Sequence, residues 1–254
     1  KGCVDSVVSN ITVNQSPIVT DISSSGGANI CPTKTSQMSS TPAGGVWTSA
    51  TKAAVTIDAT TGVATGVAAG TSVITYTVTS AEACSTAKTY TLTVDPAPTV
   101  AAIVGASFVC VGEINTLSCA TPNGTWSSAT PAVASVDPVT GEVTGITSGT
   151  SVISYTVSMN GCSASVNSVF TVNAIPNVNT IAGSTNVCIG ETTNLTNSTP
   201  NGIWNSTSPS VATISSNGMV SGVSAGTSVI SYTVSMNGCT KNQTVAITVN
   251  PSPN

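Results

Sequence analysis

The residues best placed to do chemistry in this chain are its cysteines. Eight are present, and six recur at matched spacing. Cys31, Cys110 and Cys188 lie 79 and 78 residues apart, and Cys84, Cys162 and Cys239 lie 78 and 77 apart. Thiols repeated in this way point to disulfides, and so to an oxidising compartment. No Cys-x-x-Cys occurs and the chain has no histidine, which removes the usual zinc ligand sets and the commonest general base. Serine is abundant, but without histidine or a Gly-x-Ser-x-Gly elbow nothing would activate it. Paired carboxylates could hydrolyse glycosides, yet Glu113/Glu191 and Asp58/Asp137 recur at turn positions, where such side chains cap and close turns. The remaining acids are scattered one by one, which argues against calcium. Asp95, ahead of a proline linker, is the one place for an ion site between repeats. The glycines Gly62, Gly66 and Gly70 recur with the strands and mark turns. Trp47, Trp126 and Trp204 could stack on sugar rings, but one tryptophan per repeat reads first as a core residue. The expectation is a protein that is not an enzyme and uses no cofactor or metal.

Composition sets the elements that must position these cysteines. Among 254 residues there are 34 Val, 43 Thr and 38 Ser but only 3 Leu, and only 14 charges, none of them Arg. Val and Thr fit pleated, half-buried strands, whereas Leu, Glu, Lys and Arg favour helices. The class is therefore all-β. A net charge of -4 with no Arg excludes a phosphate-gripping face, so nucleic acid is not a partner. No apolar run approaches the ~20 residues of a membrane helix, so no membrane insertion is expected in this segment.

The spacing of the cysteines belongs to a repeat of about 78 residues. Gly149–Cys162 (GTSVISYTVSMNGC) is identical to Gly226–Cys239, and Gly70–Cys84 is a looser copy. Each copy ends in a Val/Thr strand and a proline linker, at Val94-Asp95-Pro96, Val172-Asn173-Ala174-Ile175-Pro176 and Val249-Asn250-Pro251. Repeats are expected at 17–96, 97–174 and 175–250, with 251–254 as linker. Cys3–Pro17 aligns with Cys162–Pro176, so residues 1–16 read as the last strand of a preceding, incomplete repeat. That strand would either belong to a longer tandem array or complete a sheet in a neighbouring subunit; the array is the expectation.

Within the middle repeat, strands are expected at 101–104, 108–111, 114–120, 124–128, 132–136, 142–146, 151–158 and 163–172, with turn signals between them. In the seventh, Ile153, Tyr155 and Val157 share one face and Ser154, Thr156 and Ser158 the other, the period of a strand with one dry side. Trp126, Leu117, Val133, Val143, Ile146 and Phe170 form the expected core.

A resemblance follows from the order of several short strings. Val111-Gly112-Glu113, Gly124-Thr125-Trp126-Ser127-Ser128, Pro131–Asp137, Gly141–Ile146 and Gly149–Ile153 together resemble the group-2 bacterial immunoglobulin-like domain. The last repeat keeps the pattern at Ile189-Gly190-Glu191, Trp204, Val211–Ile214, Gly218–Gly222 and Ala225–Thr227. The first departs from it after Cys31, reading Pro32-Thr33-Lys34. The style also resembles tandem modules of large surface or gliding-motility adhesins of Gram-negative bacteria. The resemblance implies tandem immunoglobulin-like β-sandwiches in an extended rod.

Two disulfide schemes are open. Pairing within repeats (Cys31–Cys84, Cys110–Cys162, Cys188–Cys239) leaves Cys3 and Cys119 unpaired or intermolecular. Pairing between neighbours (Cys31–Cys162, Cys110–Cys239) answers the objection that, in a sandwich, these two positions lie at opposite poles. The within-repeat scheme leaves fewer orphans and is the expectation. Cys119 has no counterpart, since Ser40 and Asn197 stand in its place. The function expected is a non-catalytic spacer shaft of an extracellular, cell-surface adhesin or filament, partnered by neighbouring copies or further repeats. The alternative is that the repeats bind a glycan, a receptor or a substratum surface themselves. The loops that would do so, Thr41–Gly44, Thr121–Gly124 and Thr199–Gly202, are nearly alike, which favours the shaft.

Overall fold

A computed structural model describes Gly2 and residues 7–252. Cys3 lies outside the described residues, as do the last two positions of the 251–254 linker. Among the described residues every regular element is a strand, as the Val/Thr content requires. The fold is all-β, built of β-sandwiches. The chain divides into two compact units. One comprises Lys1–Val100 with Thr121–Asn123 and Thr156–Ser165; the other comprises Ala101–Ala120, Gly124–Tyr155 and Val166–Asn254.

In the first unit, one sheet runs Ser23–Ser24, Thr35–Ser39, Val63–Gly66, Val55–Ile57, and the second runs Asn29–Ile30, Ser85–Val94, Gly70–Thr79, Val46–Ser49. Strict alternation in Gly70–Thr79 buries Ile74, Tyr76 and Val78 against Met38, Trp47, Val55, Leu92 and Val94. Val19 and Ile22 close the same core. Residues 7–16 join no sheet among the described residues. Ile11 and Val13 are 87% and 90% exposed, although they align with the buried Phe170 and Val172 of the middle repeat.

In the second unit the arrangement recurs. The sheet Asn186–Cys188, Cys239–Asn250, Gly226–Met236, Ile203–Ser206 faces Ala182–Gly183, Thr192–Thr196, Met219–Gly222, Ala212–Ile214. Its core is Val187, Leu195, Ala212, Val220, Ile230, Ile247 and Val249. The middle repeat has the order Phe108–Cys110, Cys162–Asn173, Gly149–Met159, Gly124–Ser128. The stretch expected as one strand over 114–120 divides into Ile114–Thr116 and Ser118–Cys119, which pair with different partners. Of the expected core, Trp126, Leu117, Val143 and Phe170 are buried and Val133 is half-buried. Ile146 is 46% exposed. In Glu142–Gly145 the inward positions are Val143 and Gly145, so Ile146 falls on the outer parity of that strand; its apolar character alone suggested the core.

The long hairpins of the middle and last repeats end in a tight turn, whereas that of the first closes over the five residues 80–84. Asn160 and Gly161 have φ of 51° and 79°, and Asn237 and Gly238 have 49° and 81°. Two consecutive positive φ values make a two-residue type I′ turn, which Asn-Gly favours. The register Met236↔Cys239 therefore puts the cysteine on the first residue after the turn.

Candidate functional site

The site is built where a short parallel strand meets the end of a repeat's last strand. Phe108–Cys110 pairs in parallel with Cys162–Asn173, setting Cys110 opposite Asn173. Asn186–Cys188 pairs likewise, setting Cys188 opposite Asn250. Asn29–Ile30 sets Ile30 opposite Val94, which brings Cys31 beside Asp95. The second cysteine of each repeat stands at the start of that same last strand (Cys162, Cys239) or just before it (Cys84), eleven residues earlier. At about 3.3 Å per residue the two are ~36 Å apart, whereas a disulfide needs Cα atoms within about 7 Å.

The within-repeat pairing is therefore overturned. Cys31 is bonded to Cys162, with Cα atoms 5.5 Å apart, and Cys110 to Cys239, with Cα atoms 5.7 Å apart. Each bond ties the end of one repeat to the hairpin turn of the next. The turn cysteine is buried in both, and its Sγ sits 3.7 Å from the Asp95 carbonyl oxygen in one and 3.8 Å from that of Asn173 in the other. The Asn173 side-chain amide donates to the Asn237 carbonyl at 2.8 Å, and the Phe108 ring packs over Gly238. At the other bond, Asn29 donates to the Asp95 carboxylate at 2.8 Å, so the one acid singled out for an ion is engaged by an amide.

Cys84, Cys119 and Cys188 are free and half-buried. The Cys119 thiol donates to the Ala101 carbonyl at 3.3 Å. Cys84 Sγ lies 3.8 Å from the Asn14 carbonyl oxygen. A hollow of 380 Å³ adjoins Cys188, lined by Ser184, Asn186, Glu191, Thr192 and Asn250 among others.

The tryptophans are packed against tyrosines. Ring centroids are 4.3 Å apart for Trp47–Tyr76, 4.7 Å for Trp126–Tyr155 and 4.6 Å for Trp204–Tyr232. Trp47 and Trp126 are each 5% exposed and offer no open ring face; Trp204 is half-buried. Each tyrosine hydroxyl accepts from a loop glycine N–H (Gly45, Gly124, Gly202) at 2.8–2.9 Å. The three loops offered as binding surfaces are thus held by one device.

Sequence reasoning missed a serine pair in each repeat, the second member buried in all three. Ser49–Ser72, Ser128–Ser151 and Ser206–Ser228 meet Oγ to Oγ at 2.8–2.9 Å. The first of each pair donates to a carbonyl (Val55, Ala134, Ala212) at 2.6 Å. The signal was present, since the first serine always follows the tryptophan by two residues and the second follows a glycine by two.

The charged groups serve turns. The Asp58 carboxylate is held below its ordinary pKa by the Thr61 N–H and hydroxyl and the Thr60 N–H. Asp137 is lowered by the Thr140 and Val139 N–H groups and the Thr140 hydroxyl. Asp21 is lowered by the Lys88 ammonium, 2.7 Å away. Among the described residues no three His, Cys, Asp or Glu gather as a metal site, and no helix is long and apolar enough to cross a membrane.

No protein-family model matches the chain, and no curated protein matches it. Among solved structures, domains 1–6 of the surface-layer protein SbsC are 18% identical, with 94% of this chain and 41% of that one covered and a TM-score of 0.28. An I-band fragment of titin is 12% identical, with 89% and 95% covered and a TM-score of 0.35. A SusE-like surface-located polysaccharide-binding protein from Bacteroides thetaiotaomicron is 11% identical, with 92% and 54% covered and a TM-score of 0.32. The chain thus spans about two fifths of the surface-layer structure it matches. At these values the functional reading rests on the chain's own residues.

Proposed function

We propose that this chain is a non-catalytic, load-bearing shaft of an extracellular surface adhesin or filament. Its working units are three immunoglobulin-like repeats of the group-2 bacterial type, bounded at 17–96, 97–174 and 175–250, that act as a spacer. The observation that carries this reading is the pair of staggered disulfides, Cys31–Cys162 and Cys110–Cys239. Disulfides persist in oxidising compartments, which supports a place outside the cytosol. The bonds also reroute force, and because they overlap along the chain they do so together. Tension entering from the N-terminus reaches Cys31, crosses to Cys162, runs back along the chain to Cys110, crosses to Cys239 and leaves. Only about 100 of the 254 residues then bear load. The near-identical loops, each closed by a tyrosine, support a spacer rather than a repeat-specific glycan or receptor site.

The test is to stretch single molecules by their ends before and after reduction. At ~3.5 Å per residue the oxidised chain should reach on the order of 340 Å and the reduced chain about 890 Å. Equal extension in the two states would overturn the load-bearing reading. Binding of a defined glycan by the oxidised chain, lost on substitution within Thr199–Gly202, would replace it with the adhesion-module reading.

A further inference from the structure

We infer that Asn160 is a modification site, deamidated by water alone, and that tertiary contacts shield the four other Asn-Gly pairs of the chain. The inference goes beyond the shaft reading and rests only on the turns. In an Asn-Gly pair the glycine nitrogen attacks the side-chain amide carbon of the asparagine. A carbon–nitrogen bond forms, ammonia leaves and a cyclic succinimide remains. Water then opens the ring on either side, giving aspartate or isoaspartate. Glycine favours the first step because no Cβ hinders the approach of its nitrogen.

In three of the pairs the attacking nitrogen is already engaged. Gly124 N–H donates to the Tyr155 hydroxyl at 2.8 Å and Gly202 N–H to the Tyr232 hydroxyl at 2.9 Å. Gly218 N–H donates to the Ser215 carbonyl at 3.0 Å, and the Asn217 side-chain oxygen accepts from the Ser215 hydroxyl.

The remaining two pairs form an internal control. Asn160-Gly161 and Asn237-Gly238 lie in the identical strings Gly149–Cys162 and Gly226–Cys239. Both adopt the same turn, with φ of 51° and 79° in one and 49° and 81° in the other, and all four residues are exposed. Local sequence, backbone and solvent access are therefore matched, and the surroundings are not. The Asn237 carbonyl accepts from the Asn173 side chain at 2.8 Å, and a Cβ on Gly238 would come within 2.9 Å of the Phe108 ring. Beside the other turn, Asp95 stands in the place of Asn173 and Asn29 in the place of Phe108. The Asp95 carboxylate accepts from the Asn29 amide at 2.8 Å and, being an acceptor only, cannot hold the Asn160 carbonyl. A Cβ on Gly161 would meet nothing within 4 Å. The turn must open before the ring can form. A turn pinned by a hydrogen bond and covered by a ring opens less often than a bare one.

The product alters one clamp and spares the other. Isoaspartate adds a methylene to the main chain of a two-residue turn. Either product puts a negative charge two residues before Cys162, whose Sγ lies 3.7 Å from the Asp95 carbonyl oxygen. Ageing thus marks the turn of the Cys31–Cys162 clamp and leaves that of Cys110–Cys239 intact.

The experiment incubates the full, disulfide-intact chain in mildly alkaline buffer and follows the amide-to-acid mass gain by peptide mapping. Chymotryptic peptides beginning after Tyr155 and Tyr232 are told apart by Ser163-Ala164 and Thr240-Lys241. Asn160 should convert at least about tenfold faster than any of the other four asparagines. In the reduced, urea-unfolded chain Asn160 and Asn237 should convert at equal rates. Asn173→Asp, which copies the first clamp, and Phe108→Ala should each speed conversion of Asn237 by about threefold or more, with both disulfides still intact in non-reducing maps. Equal rates in the folded chain, or a difference that survives unfolding, would overturn the proposal. So would an Asn237 rate that neither variant changes.

Discussion

At the scale of single residues, this chain places polar side chains where the backbone needs them. Tyr232 shows the economy of it: the hydroxyl accepts from Gly202 N–H at 2.9 Å and donates to Thr199 O at 2.6 Å, while the ring packs on Trp204. Tyr232→Phe keeps the packing and leaves a partly buried N–H and carbonyl unpaired. It should cost about 1–2 kcal/mol in urea unfolding; an unchanged midpoint would show that water replaces the hydroxyl at no cost. Asp58 and Asp137 carry a pH signature. Their folded pKa values lie below the ordinary carboxylate value because N–H groups of their own turns bond the charged form. Such a group stabilises the fold above its unfolded pKa, near 3.9, and the contribution disappears as pH falls through the lower, folded value. The double variant Asp58→Ala/Asp137→Ala should therefore be less stable than the parent at pH 7, with the gap narrowing toward pH 2. A gap of constant size over that range would contradict the assignment.

At the scale of elements, the hairpin turn is both a folding signal and a docking part. The turns at Asn160-Gly161 and Asn237-Gly238 share sequence and φ, but only the second lies under a ring. A Cβ on Gly161 meets open space, whereas one on Gly238 would come within 2.9 Å of Phe108. Gly161→Ala should cost about 1 kcal/mol from backbone strain alone. Gly238→Ala should cost more by up to ~1 kcal/mol, because the ring must shift too. Equal losses in urea titrations would mean that Phe108 moves freely.

At the scale of the whole molecule, the two disulfides overlap along the chain and act together. Their sequence separations, 131 and 129, make each loop long enough to be worth about 4–5 kcal/mol by chain entropy. Overlap also makes their mechanical effects unequal to a sum. Replacing either pair by serines leaves about 125 load-bearing residues, an extension of ~440 Å; replacing both restores ~890 Å. The first bond removed should thus add about 100 Å and the second about 450 Å, whichever is first. Two equal steps in single-molecule extension would indicate disulfides that do not overlap.

The local signals in this sequence were sufficient for the parts. Period-two Val/Thr runs, Asn-Gly turns and recurrent tryptophans specify strands, hairpins and cores, because each depends on neighbours a few residues away. The repeat of about 78 residues marked the cysteines as a matched set. Which of them pair was not legible, because that depends on a parallel register between a three-residue edge strand and the far end of a twelve-residue one. That register puts the two cysteines of one repeat a strand's length apart and brings the turn of the next repeat within bonding distance. Ile146 and the serine pairs were lost for the same reason: parity at a strand end and contact across a sheet are decided by assembly. From sequence alone this is a β-rich, cysteine-bearing repeat; its tertiary structure ties four of the cysteines into two overlapping clamps.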